Sequence, residues 1–303
     1  MLDGKVAIVT GGGRGLGRAH CLELAAAGAT VIVNDIGAGL HGEEGADAPA
    51  DSVVVEITKG GGSAFADFTS VTDWSGTGQL VRATVERFGR LDIVVNNAGI
   101  VRDHMLFSMT EQDFDAVVGV HLKGAFALSR HACANWRDAS KRGEHVAGRI
   151  INTTSGTGLF GNAGQANYGA AKAGIVALTT ITALEMGRYG VTANAISPLA
   201  TTRMTENVES VAGAVVEGFD TRDPFNMSGL VVYLGSDSSA WLTGQVFRVD
   251  GNAVQRLRGW AIDGQYVAPT ARAVTAEDLV AAMPTLYGTA PTGRPARVSG
   301  SAA

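Results

Sequence analysis

Short runs of β-branched and aliphatic residues alternate along the chain with longer stretches of helical periodicity. Lys5–Thr10 (KVAIVT), Thr30–Asn34 (TVIVN), Ser63–Asp67, Leu91–Val95 (LDIVV), Gly148–Thr153 (GRIINT), Val191–Ile196 (VTANAI) and Gln245–Val249 (QVFRV) have strand character. Several are continuous Val/Ile runs, the pattern of strands covered on both faces. Helical patterns occupy Gly15–Gly28, Ala48–Lys59, Gly76–Phe88, Thr110–Arg137, Gly164–Tyr189 and Pro224–Leu234. Such alternation predicts an α/β domain over residues 1–251. Its sheet is expected to be parallel and doubly wound, with about seven strands, right-handed crossovers and helices on both faces.

Three stretches break the alternation. Gly37–Pro49 is a glycine-rich loop after the second strand. Leu199–Asp223 is rich in Thr, Val and Gly, and is expected to be a mobile helical lid. Residues 252–303 form a C-terminal extension. Its apolar and aromatic segment LRGWAIDGQY is expected to pack on the body, and Ala290–Ala303 to be disordered.

Composition narrows the function classes. Hydrophobic residues at 46% and charged residues at 17% describe a globular chain. A net charge of −5 with no basic stripe argues against a nucleic-acid partner. The two cysteines, Cys21 and Cys133, are far apart, which excludes a disulfide framework and argues against a cysteine zinc site; no metal is expected. No long uninterrupted apolar run predicts a membrane span. Met1–Lys5 leads straight into a strand with no secretory pattern, so a cytoplasmic location is expected.

The 41 glycines direct attention to turns and to close approaches of backbone to ligand. Thr10-Gly11-Gly12-Gly13-Arg14-Gly15-Leu16-Gly17 follows the first strand and opens the first helix. Glycines there let the backbone approach a pyrophosphate, and the helix N-terminus supplies amide donors. Asp35 ends the second strand, where a carboxylate accepts from ribose hydroxyls and repels a 2′-phosphate; this favours NAD over NADP. Arg14 is the contrary sign, a cation able to reach a 2′-phosphate. Asn96-Asn97-Ala98-Gly99 ends the fourth strand. Asn97 is a candidate for the adenosine pocket, while Asn96 either joins it or ties strands together.

Tyr168 and Lys172 stand at i and i+4, on one helix face. A free phenol titrates near ~10, and a neighbouring cation lowers that value enough to make a general acid/base. Taken alone, the pair is equally a surface pair. Ser155, just past the fifth strand, is placed to hold a substrate oxygen, or else is an ordinary loop or capping serine.

Together the motifs TGGGRGLG, Asp35, NNAG, Ser155, YGAAK and Ser197-Pro198 resemble the short-chain dehydrogenase/reductases over residues 3–251. The resemblance implies a Rossmann-like sheet, hydride transfer with nicotinamide, and Ser155–Tyr168–Lys172 catalysis, the lysine also holding the nicotinamide ribose. It implies a cofactor site of Gly11, Arg14, Gly15, Leu16, Gly17, Asp35, Ser70, Val71, Asn97, Tyr168, Lys172, Pro198 and Thr202. Where the family usually has Asn, the chain reads Val120-His121-Leu122-Lys123-Gly124. His121 then serves either as a proton relay behind Lys172 or as a structural histidine. Leu199 replaces a common Gly and Thr69 a common Asp, which puts some contacts of the nicotinamide and adenine ends in doubt.

His121, VNDIG, NNAGIVRD, GNAGQANYGAAK, RMT and the tail segments LRGWAIDGQY and VTAEDL narrow the likeness. They resemble the (3R)-hydroxyacyl-CoA dehydrogenase unit of peroxisomal multifunctional β-oxidation enzymes and their bacterial relatives. The implied reaction is NAD-dependent oxidation of a 3-hydroxyacyl-CoA, fatty or steroid side-chain, to the 3-oxoacyl-CoA. A hydroxysteroid or other secondary-alcohol dehydrogenase, or a carbonyl reductase, would use the same residues. A nucleotide-sensing protein would not need the intact catalytic set. The resemblance also implies a homodimer or homotetramer formed through the helices at 110–137 and 164–189.

Overall fold

The computed structural model describes residues 1–43, 45, 48–201, 215–259, 262, 264–269 and 273–287. Thr202, residues 202–214 of the expected lid, and the Ala290–Ala303 end of the tail lie outside them. The chain divides into two compact units, Met1–Leu257 and Arg258–Ala303.

The first unit is built on one eight-stranded sheet. In chain order the strands are β1 (Val6–Thr10), β2 (Thr30–Asn34), β3 (Ser63–Asp67), β4 (Ile93–Asn96), β5 (Arg149–Thr153), β6 (Thr192–Leu199), β9 (Val246–Asp250) and β10 (Ala253–Leu257). They lie in the order β10-β9-β6-β5-β4-β1-β2-β3. All pairings are parallel except β9 with β10, a hairpin turning through Gly251-Asn252. This strand order makes the expected doubly wound, Rossmann-like sheet. β10 is the one strand of this sheet that the alternation did not announce: Ala253–Leu257 is mostly exposed and carries polar residues.

The helices are α1 (Gly15–Ala26), α2 (Pro49–Lys59), α3 (Trp74–Phe88), α4 (Glu111–Val118), α5 (Gly124–Lys141), α6 (Gly156–Phe160), α7 (Ala166–Met186) and α8 (Ser228–Gly235). Their termini follow local chemistry. Asp73 caps α3 by accepting from the N–H groups of Ser75 and Gly76 at 3.0 Å each. Thr110 and Asp113 form a capping box on α4. The central strands β1, β4 and β5 are buried along their length, and two hydrophobic clusters cover the two faces of the sheet. Sheet order reverses between β1 and β4, which opens a crevice at their carboxyl ends.

Two expectations need correction. The helix expected over Thr110–Arg137 is interrupted by a π-helical turn, Gly119–Lys123, which carries His121. Such insertions re-aim one side chain without ending the helix. The described end of the expected helical lid is a small hairpin of β7 (Val215–Val216) and β8 (Phe219–Asp220), not helix. Its turn residues Glu217 and Gly218 take positive φ values of 51° and 85°, the geometry of a two-residue hairpin loop, and the flanking valines favour strand. In the second unit, α9 (Ala276–Tyr287) starts at Thr275, where the Thr275 and Asp278 side chains each accept from the other's backbone N–H. Among the described residues, no helix is long and apolar enough to cross a membrane.

Candidate active site

At the carboxyl ends of β1 and β4 lies a cleft of about 700 Å³. Gly11, Arg14, Gly15, Leu16, Gly17, Asp35, Ser70, Val71 and Asn97 all line it. Nine of the residues expected from sequence to hold a dinucleotide thus meet in one place.

The glycine loop is tightly built. A Cβ on Gly17 would stand 1.9 Å from the Gly11 carbonyl oxygen and 2.7 Å from Asn97 Nδ2. No side chain caps α1 at Arg14, so the first-turn N–H groups remain available to a phosphate, where the helix dipole also favours negative charge. Asn97 does two things at once. It lines the cleft, and its Nδ2 donates to the carbonyls of Thr10 (3.1 Å) and Gly11 (3.2 Å), which holds the loop in shape. Asn96 takes the strand-tying role: its Nδ2 donates to Asn152 Oδ1 at 2.8 Å and Ser129 Oγ at 2.9 Å.

Asp35 is fixed by backbone. Its Oδ2 accepts from Gly13 N–H at 2.9 Å and its Oδ1 from Gly37 N–H at 2.8 Å. A carboxylate offers about four lone-pair positions, so acceptors remain for ribose hydroxyls. Arg14 Nη1 donates to Ala38 O at 3.3 Å. The uncapped helix, the close-packed loop and this carboxylate together suit a nicotinamide dinucleotide.

Sequence reasoning passed over part of the lining. Leu40 of the glycine-rich loop and Arg102 beyond NNAG both border the cleft. Their segments are joined: Val101 N–H donates to Leu40 O at 3.1 Å, and Arg102 Nε to His41 O at 2.9 Å. The pairing is non-local, and no motif marks it.

Tyr168, Lys172, Ser155 and Pro198 are not among the residues lining that cleft. His121 connects the two regions. Its Nε2 is 2.8 Å from the carbonyl oxygen of Ile100, a cleft residue, and its ring meets the Tyr168 ring edge-on at 5.1 Å between centroids. A Cβ on Gly99 would fall 2.2 Å from His121 Cε1, so the NNAG turn leaves the imidazole just enough room.

α7 presents Tyr168 and Lys172 together, with Lys172 Nζ 5.5 Å from the centre of the Tyr168 ring. Lys172 is buried at 3% exposure, and Nζ donates to the Thr153 carbonyl at 2.7 Å. Burial pulls its ammonium down to about 7. The Tyr168 phenol lies above its ordinary value, not below it as expected. Burial raises it, a hydrogen bond from Ser155 opposes the rise, and the Asp103 carboxylate adds to it. In this arrangement the loss of solvent around the phenol outweighs the Ser155 hydrogen bond. Ser155 caps α6, its Oγ accepting from Thr157 N–H at 3.2 Å, which meets the capping reading.

His121 is buried, and burial, reinforced by the Lys172 charge, holds it well below 6.5. The imidazole is neutral. Nε2 lies against Ile100 on both sides, 2.8 Å from its carbonyl oxygen and 3.1 Å from its N–H, and Nδ1 has no partner among the described residues. Lys172 Nζ donates to Thr153 O, and no direct bond joins it to His121 among the described residues.

Comparison with known proteins agrees with this architecture. The profile of the family described as "short chain dehydrogenase" matches residues 5–212. The chain is 44% identical over 289 residues to "Hydroxyacyl-CoA dehydrogenase ChsB1" of Mycobacterium tuberculosis, covering 92% of this chain and 90% of that protein. It is 45% identical to "Peroxisomal multifunctional enzyme type 2" of Drosophila melanogaster over 86% of this chain, but spans only 40% of that longer protein. A crystal structure of a short chain dehydrogenase from Mycobacterium avium superposes with a TM-score of 0.84 at 52% identity, covering 95% of this chain and 96% of the other. With the glycine loop, Ser155, Tyr168 and Lys172 in place on this sheet, the chain belongs to the short chain dehydrogenase family and is an oxidoreductase.

Proposed function

We propose that the chain oxidises (3R)-3-hydroxyacyl-CoA thioesters to 3-oxoacyl-CoA with NAD. The observation that carries this reading is the placement of Ser155, Tyr168 and Lys172 one side chain away, through His121, from a cleft suited to a dinucleotide. The relatives named for hydroxyacyl-CoA and for peroxisomal β-oxidation support the substrate class. Asp35 supports NAD over NADP, because its carboxylate opposes a 2′-phosphate.

When bound, the nicotinamide supplies the hydride acceptor. The chain's own residues handle the proton and the orientation. The Ser155 hydroxyl holds the carbinol oxygen beside the Tyr168 phenol, and the ionised phenol takes the proton from that oxygen. Lys172, held in place by Thr153, favours the phenolate as long as its ammonium is charged. His121 Nδ1, which has no hydrogen-bond partner among the described residues, is the ring atom through which a water passes the proton outward. The family resemblance assigns Pro198, near the end of β6, to the nicotinamide end of the site. Phe126 on α5 and Leu184 on α7 are exposed (45% and 80%), which supports pairing of two copies through these helices.

The test is a turnover screen with NAD against (3R)- and (3S)-3-hydroxyacyl-CoAs, free hydroxysteroids and simple secondary alcohols. NADH should form with the (3R) thioesters at a kcat/KM at least a hundred times that of the others. Preference for a free steroid or a simple alcohol would replace the acyl-CoA reading with that substrate class.

A further inference from the structure

One side-chain amide joins three segments around the catalytic groups. Gln165, the residue before α7, donates from Nε2 to Asp103 Oδ2 at 2.7 Å. Its Oε1 accepts from Thr157 Oγ1 at 2.9 Å and from Asn162 Nδ2 at 3.0 Å. Asp103 belongs to the segment leaving β4, Thr157 to the first turn of α6, and Asn162 to the loop that enters α7. The backbone reinforces the joint: His104 bridges to Gln165, and His104 N–H donates to Gly164 O at 2.9 Å.

These partners are neighbours of the reacting groups. Thr157 N–H donates to Ser155 Oγ at 3.2 Å. The Asp103 carboxylate acts on the Tyr168 phenol. A serine hydroxyl has one proton to donate and two lone pairs. With one lone pair taken by Thr157 N–H, the direction in which Ser155 donates is restricted. The Thr157 hydroxyl is committed to Gln165 and so does not compete for Ser155. Without the amide, the Thr157 hydroxyl is free to turn toward Ser155, and Asp103 loses the donor that fixes its carboxylate.

We propose that Gln165 is a positioning residue, whose amide ties Asp103, Asn162 and Thr157 into one frame and keeps Ser155 in register with Tyr168. This rests on the Ser155–Tyr168 reaction proposed above. Gln165 is not among the residues lining the dinucleotide cleft, so its effect falls on the chemical step and not on cofactor affinity. A misplacement of about 1 Å at a reacting group costs on the order of a hundredfold in rate.

The experiment measures kcat, KM and the isotope effect with NAD and a (3R)-3-hydroxyacyl-CoA carrying protium or deuterium at C3. NADH affinity and thermal midpoint are measured on the same proteins. Gln165→Ala should lower kcat about ten- to a hundredfold, raise the isotope effect on kcat, and leave NADH affinity within twofold. Gln165→Glu sets a carboxylate against Asp103 and should be as slow. Adding Asp103→Asn to it restores a donor–acceptor pair with reversed polarity, and should return kcat to within about tenfold of the parent. Parental kcat and isotope effect in Gln165→Ala, beside an inactive Tyr168→Phe, would overturn the positioning role and leave the reaction standing. So would a slow Gln165→Ala whose isotope effect does not rise. An active Tyr168→Phe would instead overturn the reaction itself.

Discussion

Replacing Asp35 by Asn separates the charge in the lining of the dinucleotide cleft from the shape of the side chain. The carboxylate does two things that the structure lets one weigh. It accepts from Gly13 N–H and Gly37 N–H, one on each oxygen. An amide offers one oxygen, so one of the two N–H groups would face an NH₂ group. That loss costs about 1–3 kcal/mol, or roughly 2–10 °C in thermal midpoint for a domain of this size. The second role is discrimination. Two unit charges about 4 Å apart at an effective dielectric near 20 repel by about 4 kcal/mol, a factor on the order of a thousand in affinity. Arg14, in the glycine loop, offsets part of this. Fluorescence titration at matched ionic strength should therefore give the parent an NADH preference of about a hundred- to a thousandfold. Asp35→Asn should reduce that preference to about tenfold or less. A parent that binds NADH and NADPH within threefold of each other would refute the argument. So would an unchanged ratio in the variant.

Other outcomes follow from the same geometry. Gly17→Ala places a methyl 1.9 Å from the Gly11 carbonyl oxygen, a backbone atom that cannot turn aside. Calorimetry should show about 1–3 kcal/mol of destabilisation, and titration a loss of NADH binding; parental affinity would mean that the loop does not hold the dinucleotide. His20 is fully buried, and its pKa falls from 6.5 to about 4. The unfolded chain therefore binds a proton that the folded chain refuses, so stability is full above pH 6.5 and falls toward pH 4. Urea unfolding should lose about 2 kcal/mol between pH 7.5 and 5 from this group, and a His20→Asn variant that keeps the whole loss would refute the assignment. Oxidation needs the ionised Tyr168 phenol, which burial holds above its ordinary value. The kcat for oxidation should climb from about pH 8 to 10, while ketone reduction, which needs the protonated phenol, should not climb; a flat oxidation profile with chemistry limiting would contradict this.

The parts of the fold carried by buried strands were legible, because continuous apolar runs between glycine and polar turns have few other readings. β2 and β3 coincide with their expected ranges. β10 was not, since an exposed strand on a sheet edge shows no apolar run; the Gly251-Asn252 pair was the local signal for the hairpin. The π turn at Gly119–Lys123 was also hidden, because a single inserted residue hardly disturbs helical periodicity. Its cause is tertiary: His121 reaches back to Ile100. Nine residues of the glycine loop, Asp35, Ser70-Val71 and Asn97 meet in one cleft because local backbone geometry sets their positions. The direction of the Tyr168 shift was misread for a related reason. Helical spacing shows that a lysine is near, but not that the phenol itself is buried. The Leu40–Val101 and Asp103–Gln165 contacts join distant segments and carry no sequence signature.

The account depends most on the Tyr168 phenol as the group that exchanges the substrate's proton. Steady-state NADH formation from NAD and a (3R)-3-hydroxyacyl-CoA by Tyr168→Phe, measured beside its NADH affinity, tests this directly. Turnover at least about a thousandfold below the parent, with NADH affinity within threefold, is the result predicted. Turnover within tenfold of the parent would contradict it and move the proton transfer to another residue.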